Sequence, residues 1–300
     1  MSKSSVQVAY GARPAAELVD ETEAWSFVLS LLPSAVRTGG ARIELFEGNG
    51  ADVTWRAPFG VTAEAARLLD LCLPLCVGAR ARSLVVAHLG QSLDGRVAVP
   101  LGMPRLITGP EDVRHTHRLR ALCDAVIVGA TTVVVDDPRL TTRLVPGEHP
   151  VRVVLDPRGR LPEDRGLFTD GEAPSLVVVG RTHAARYAGM PGVDVVPLPL
   201  EDGLLQVDAV LGALRERGLQ RIFVEGGGVT VSRFLDAGVL DRLHVAVASR
   251  IVGTGAPALQ LESALLTGGV ASRARSYLLG ADVLFDCDLR AGRGPERGLA

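Results

Sequence analysis

The residues from Arg221 to Thr230 run Arg-Ile-Phe-Val-Glu-Gly-Gly-Gly-Val-Thr, an order of side-chain types suited to anion binding. Three apolar residues end in the carboxylate of Glu225 and three glycines follow. Val229, Phe234 and Leu235 then recur at roughly helical spacing, so the segment reads as strand, tight turn and helix. Gly226, Gly227 and Gly228 lack a Cβ and let a ligand approach the main chain, while the unpaired N–H groups of a helix start favour a phosphate. A plain β-to-α turn explains the same run, because short glycine runs are unspecific. Glu225 adds weight to the ligand reading, since the carboxyl end of a buried strand is where open α/β sheets hold ligands.

Other clusters offer related chemistry. Gln91-Ser92-Leu93-Asp94-Gly95-Arg96 places a hydroxyl and a carboxylate in a glycine turn after a strand, and a hairpin turn would use the same residues. Thr108-Gly109-Pro110-Glu111 has capping-box spacing with proline in the first turn, which predicts Thr108 as a helix cap. The helix it opens carries Asp112, His115, His117 and Arg120, which a solvated polar face would also explain. Asp124 to Thr132 is again a strand, a glycine (Gly129) and hydroxyls including Thr132, a second place for an anion contact. Asp136-Asp137-Pro138-Arg139-Leu140-Thr141-Thr142-Arg143 packs two acids and two arginines together, either as a surface salt-bridge patch or as a bidentate phosphate site. Arg181 and Thr182 follow a strand end where an adenosine 2′-phosphate could dock. Neither Gly-x-Gly-x-x-Gly nor Gly-x-Ser-x-Gly occurs, which disfavours an ordinary dinucleotide-binding Rossmann unit and an α/β-hydrolase elbow.

The elements that must carry these residues divide the chain. Residues 1–80 predict helices around Trp25–Leu32 and Ala63–Leu75, a strand at Ile43–Phe46, and turns at Gly39-Gly40 and Gly48-Asn49-Gly50. This small α+β accessory region carries no chemistry of its own and suits packing or an oligomer contact. From residue 81 to 290, strands and helices alternate, which predicts an α/β domain with a largely parallel sheet. Its strands are expected at Leu84–Leu89, Ala125–Val128, Val151–Leu155, Ser175–Val179, Val193–Val196, Arg221–Val224 and Leu243–Ala248. Helices are expected at Pro110–Cys123, Thr131–Val135, Leu204–Arg217 and Val229–Ala237. An antiparallel hairpin, Ser276–Leu279 with Ala281–Leu289, closes the sheet, and residues 291–300 are expected to fray.

Composition bounds the function. With 300 residues and 47% hydrophobic content the chain can bury a sizeable core, and its net charge of −2 lacks the basic excess of nucleic-acid binding. Met1 to Pro14 has no apolar core of signal-peptide length and no stretch reaches membrane-spanning length, so a cytoplasmic protein without a membrane partner is expected. Lys3 is the only lysine, which argues against Schiff-base chemistry. Cys72 and Cys76, four apart in an apolar run, read as thiols on one buried helix face, and no metal site is expected.

The order of motifs is more specific than any one of them. Ser92-Leu93-Asp94-Gly95, Ile107-Thr108-Gly109-Pro110, His117-Arg118-Leu119-Arg120, Asp124 to Thr132, Asp136 to Thr141, Pro150 to Asp156 and Glu225-Gly226-Gly227 resemble the reductase domain of bacterial riboflavin-biosynthesis deaminase-reductases, from about Ser83 to Leu289. The resemblance implies a three-layer dihydrofolate-reductase-like fold, NADPH as hydride donor and a homodimer. It also implies a phosphorylated ribosylamino-pyrimidine substrate, reduced at the ribose C1′. By matching motif, Thr108, Asp112, Arg120, Asp136, Arg143 and Glu225 fall where the family contacts substrate, with the arginines suited to its 5′-phosphate. Ser92, Gly129, Thr132 and Gly226–Gly228 fall where it cradles NADPH, with Arg181 and Thr182 added for the 2′-phosphate. Asp136 and Glu225 are the candidate proton handlers. His88 stands where the family usually has a lysine, and Leu106 where it has a tryptophan; imidazole donates a proton near neutral pH. The first 80 residues lack the His-x-Glu and Cys-x-x-Cys ligands of the zinc deaminase, so either a deaminase partner is a separate protein or the substrate differs. A pterin or dihydrofolate reductase and a non-catalytic nucleotide-binding protein are the alternatives.

Overall fold

The computed structural model describes residues 5–8, 18–32, 43–47, 53–78, 84–97, 107–261 and 272–290. Lys3, the turns expected at Gly39-Gly40 and Gly48-Asn49-Gly50, Leu106 and the tail from residue 291 lie outside them. The chain forms two compact units, one built on Met1–Arg82 and one on Ser83–Gly292.

In the first unit, β1 (Ser5–Val8), β2 (Ile43–Glu47) and β3 (Val53–Arg56) form an antiparallel sheet in that order. Only the middle strand had a clear apolar signal. Helices α1 (Glu21–Ser30) and α2 (Ala63–Gly78) pack on each other, burying Trp25, Phe27 and Val28 with Leu68, Leu69, Cys72 and Cys76. The capping box of α1 is made by Asp20 and Glu23.

The second unit alternates as the sequence predicts. Its elements are β4 (Leu84–Ser92), α3 (Pro110–Leu122), β5 (Ala125–Gly129), α4 (Ala130–Asp136), β6 (Val151–Asp156), α5 (Gly166–Thr169), β7 (Ser175–Gly180), a 3-10 turn (Arg181–Tyr187) and β8 (Val193–Leu198). They continue through β9 (Leu200–Glu201), β10 (Leu204–Leu205), α6 (Val207–Arg215), β11 (Arg221–Glu225), α7 (Gly228–Asp236), β12 (Arg242–Ala248), β13 (Arg273–Leu279) and β14 (Asp282–Asp288). Among the described residues one nine-stranded sheet has the order β13-β14-β12-β4-β11-β5-β6-β7-β8. The seven strands from β12 to β8 run parallel, and the β13–β14 hairpin adds antiparallel to β12.

Sequence periodicity explains the layers. Val85, Ala87 and Leu89 of β4 point into a core closed by Val207, Val210, Leu211 and Leu214 of α6 and by Val231, Phe234 and Leu235 of α7. Each fully buried aliphatic or aromatic side chain there contributes about 1.5–3 kcal/mol. The alternate residues of β4 face α3 on the opposite side, as the pleat requires.

Two expectations need correction. The helix expected from Leu204 starts at Val207, because Leu204–Leu205 pair with Leu200–Glu201 as a small hairpin. Thr108 does not cap α3. The cap is Gly109, with proline at N1, and the Gly109 N–H donates to Asp282 at 2.6 Å. The side chain of Thr108 instead hydrogen-bonds Asp112.

Candidate active site

A cavity of about 930 Å³ opens at the carboxyl ends of β4, β11, β5 and β6, the position expected for ligands of a parallel sheet. Glu225 and His88 on its wall begin a row of polar residues in register that continues into the buried interior. Glu225 on β11 pairs with His88 on β4, His88 with His244 on β12, and His244 with Asp286 on β14. Helix α3 lies across this row and supplies a partner to three of its four positions: Arg120 to Glu225, Asp112 to His88 and His115 to His244.

The Arg120 guanidinium forks onto Glu225. Its Nε donates to Oε2 at 2.7 Å, Nη2 donates to Oε1, and Nη1 donates to the Thr141 carbonyl at 2.9 Å. Burial disfavours the Arg120 charge, but Glu225 outweighs it and raises the pKa. Both residues line the cavity. With every edge of the fork used, Arg120 acts on Glu225 and fixes the direction of its carboxylate.

His88 lines the same cavity, with Nε2 2.8 Å from Asp112 Oδ1. Burial opposes an imidazolium, but the charge and hydrogen bond of Asp112, with help from Glu225, raise the His88 pKa. Asp112 responds reciprocally: burial pushes its pKa up, and His88 and the Thr108 hydroxyl bring it below the ordinary carboxylate value. His117 is the opposite case. Burial and the flanking Arg120 and Arg143 push it down to about 4, so it is neutral, and its Nδ1 accepts the Arg143 main-chain N–H at 2.9 Å.

The glycine turn after Glu225 borders the cavity beside the end of β5. Gly226 and Gly227 have φ of 82° and 66°, which only glycine adopts without strain, and Gly227 starts α7 with no side-chain cap. A Cβ on Gly228 would lie 2.2 Å from the Ala258 carbonyl oxygen, so this glycine also lets the segment around Ala258 pack against the turn. Gly129 and Thr132 face this turn across β5, and Asp136 closes α4 at the exposed rim.

The fold therefore brings together on one cavity His88, Thr108, Asp112, Arg120, Gly129, Thr132, Asp136, Glu225, Gly226, Gly227 and Gly228. Four of the residues singled out in the sequence are not on its wall. Ser92 is fully buried; its hydroxyl donates to Asp94 at 2.6 Å and accepts from the Arg96 N–H, which shapes the turn. Arg143 is exposed and donates to Thr141 Oγ1 at 2.6 Å. Arg181 and Thr182 are exposed at the start of the 3-10 turn, beyond the strand ends that form the cavity.

Two arginines on the wall are not among the site residues expected from the sequence, whose matching motif there ends at Asp156. Arg158 and Arg160 follow β6 and are exposed towards the cavity. Their loop is fixed by Asp156, whose Oδ2 accepts the N–H of Arg160 at 2.7 Å, the N–H of Leu161 at 3.0 Å and the hydroxyl of Tyr187. The signal was present as Asp-Pro-Arg-Gly-Arg, a turn composition with two arginines after an apolar strand.

Comparison with known proteins identifies the family. The RibD C-terminal domain family model matches residues 83–276. The 2,5-diamino-6-ribosylamino-4(3H)-pyrimidinone 5′-phosphate reductase of Methanothermobacter thermautotrophicus is 34% identical over 68% of this chain and 97% of its own length. RibD of Aquifex aeolicus is 33% identical over 76% of this chain, which spans only 62% of that longer protein. Among solved structures, the Thermotoga maritima deaminase/5-amino-6-(5-phosphoribosylamino)uracil reductase superposes with a TM-score of 0.58 at 26% identity, covering 77% of this chain and 64% of the other. Saccharomyces cerevisiae Rib7 shares the fold at a TM-score of 0.57 and 23% identity, over 69% of this chain and 90% of its own. The layered α/β arrangement expected from the sequence, a largely parallel sheet with a C-terminal antiparallel hairpin, is the one observed, and the Thermotoga maritima protein shares the fold. The chain belongs to the RibD C-terminal domain family, the oxidoreductase family of the riboflavin-pathway pyrimidinone phosphate reductases.

Proposed function

We propose that this protein is an NADPH-dependent reductase of a phosphoribosylamino-pyrimidine in riboflavin biosynthesis, converting the ribose to a ribityl chain. The observation that carries the reading is one cavity bordered by the glycine turn at Gly226–Gly228, the His88–Asp112 pair and the Arg120–Glu225 fork. NADPH supplies the hydride when bound. The uncapped start of α7 and the glycine turn fit its pyrophosphate, and Gly129 and Thr132 fit the adjoining nucleotide. Arg158 and Arg160, rather than Arg181 and Thr182, are then the cations available to an adenosine 2′-phosphate.

The remaining chemistry belongs to side chains of this chain. Reduction at the ribose C1′ opens the ring and leaves a developing alkoxide on the ring oxygen, which needs a proton. His88 donates it while Asp112 holds the imidazole by Nε2, at the place where the family usually has a lysine. Glu225, aimed by Arg120, orients the substrate or the nicotinamide. Asp136 at the rim is a second proton handler, and Thr108 and Arg143 complete the substrate contacts, with Arg143 at the outer edge for the 5′-phosphate. Ser92 acts indirectly, through the turn it braces. In its cellular setting we propose a cytoplasmic homodimer, with residues 1–80 as an accessory region for packing or oligomer contact. No helix among the described residues is long and apolar enough to cross a membrane.

The test is single-turnover loss of NADPH absorbance with 5-amino-6-(5-phosphoribosylamino)uracil and, separately, its 2,5-diamino-pyrimidinone counterpart. Oxidation with either supports the reading and selects the substrate. Binding of NADPH without consumption on both would sink it, and pterins would be tried next.

A further inference from the structure

His88, His115 and His244 are all buried in one polar cluster. His115 Nε2 lies 2.9 Å from His244 Nδ1, with the rings stacked at 5.1 Å between centroids. His244 Nε2 lies 3.2 Å from Asp286 Oδ1, in electrostatic contact but off hydrogen-bond alignment. Arg242 in turn forks onto Asp286, with Nε donating at 2.9 Å and Nη2 at 2.6 Å. His88 and His115 meet edge-on at 5.9 Å.

This order of partners determines where protons sit. Ionised Asp286 is acceptor-only, so His244 turns Nε2–H towards it and keeps Nδ1 as an acceptor. His115 then donates from Nε2. Its Nδ1 is buried with no hydrogen-bond partner in the structure. A second proton on His115 would create an N–H with no acceptor, and a second proton on His244 would turn His115 round and create the same unmet donor. His88 differs: Asp112 takes Nε2–H, and Nδ1 is left uncommitted on a residue that lines the cavity.

We propose that the cluster carries one excess proton, held on His88 against Asp112, and that His115 and His244 are positioning residues that stay neutral and bar its passage towards Asp286. The inference leans on the reductase reading only in giving that proton to the substrate; after transfer from Nδ1, neutral His88 is recharged from solvent through the cavity. The charged and titratable groups around His88 agree. Asp112 and Arg120 face it from α3, Glu225 from β11 and His244 from β12, with Arg242 and Asp286 farther along the row. Burial lowers the pKa of His115 well below the ordinary value, and His244, His88 and Arg118 lower it further against a small opposing pull from Asp286. Burial also lowers that of His244, with Asp286 opposing and Arg242 and His88 reinforcing.

Nitrogen-15 imidazole spectra of the full chain test this, because Nδ1 and Nε2 shifts report both charge and tautomer. The six histidines are assigned by single Gln replacements. His88 should be doubly protonated near neutral pH and titrate above the ordinary value, while His115 and His244 remain neutral Nε2–H tautomers across about pH 6–8. Asp286→Leu removes the acceptor that orients the pair and should alter the His244 tautomer, a change that simple packing would not produce. If that variant does not fold, the wild-type spectra decide alone. An imidazolium at His115 or His244 in that range, an Nδ1–H on His115, or a neutral His88 overturns the proposal. If the spectra are as expected but His88→Gln turns over normally, the proton's location stands and the catalytic use of His88 fails.

Discussion

Two arginine–carboxylate forks sit on the same face of the sheet, and they differ in one respect. Arg242 grips Asp286 with side-chain exposures of 6% and 1%, whereas Arg120 grips Glu225 with exposures of 8% and 17%. The first is sealed on every side and touches His244; the second turns its carboxylate to a cavity. Similar bidentate chemistry thus serves two ends. In the sealed pair, desolvation is offset only by mutual attraction, so its integrity matters to folding. In the open pair, the arginine aims an acid that a ligand can reach.

The largest effect should come from breaking the sealed fork. Arg242→Met leaves Asp286 buried beside a lone imidazole and should cost about 3–5 kcal/mol in denaturant unfolding, while Arg242→Met with Asp286→Leu should recover most of the loss. The pH dependence has a definite sign. Burial pushes the Asp286 pKa up, but His244 and Arg242 hold it well below the usual carboxylate range. The stability it contributes is therefore present above its unfolded value of about 3.9 and is lost as pH falls through the folded value. Wild type should keep that contribution into stronger acid than Arg242→Met does, as acid titration followed by circular dichroism would show.

Breaking the open fork should act on turnover instead. Glu225→Gln is expected to lower the rate of NADPH consumption about 100-fold while shifting the unfolding midpoint little, and an equal loss of stability and activity would erase the contrast drawn here. Between the forks, His88→Ala should slow turnover by a similar factor of about 100, and His88→Lys should restore much of it. Because the His88 pKa is raised, its charge and the stability of its pair with Asp112 are present below the unfolded value of about 6.5 and are lost as pH rises through the folded one. The pH–rate profile of wild type should fall on the alkaline side, and that of His88→Lys should stay level to higher pH. The smallest effects concern cofactor choice. Arg158→Ala with Arg160→Ala should raise KM for NADPH about tenfold and leave NADH unaffected, and Arg181→Ala should change neither by more than about twofold.

The sequence made the parallel strands legible because their valine-rich runs are buried on both faces, as β5, β6 and β7 show. It also made the glycine turn and Glu225 legible, since they stand at a strand end, whereas His88, in the middle of β4, was legible only through the resemblance of the motif order. The polar row was hidden for a physical reason: His88, His244 and Asp286 become neighbours only through the register of three strands far apart in the chain. Thr108 was misread because its spacing to Glu111 satisfies a capping box, while the Gly109 N–H found a tertiary acceptor in Asp282. Arg181 and Thr182 were assigned to the cavity from strand-end position alone, and the cavity lies over β4, β11, β5 and β6.

The central place of β4 has a consequence for synthesis. It is the first strand of its unit to be made, yet its two neighbours in the sheet are β11 and β12, which end at Glu225 and Ala248. Until the ribosome has passed those residues, a nine-residue strand that begins with the apolar run Leu84–Ala87 has neither of its final partners. Such an interval exposes two unpaired edges to other chains. Nascent chains arrested before about residue 220 should therefore engage chaperones or aggregate, and the floor of the cavity should be among the last parts of the molecule to form.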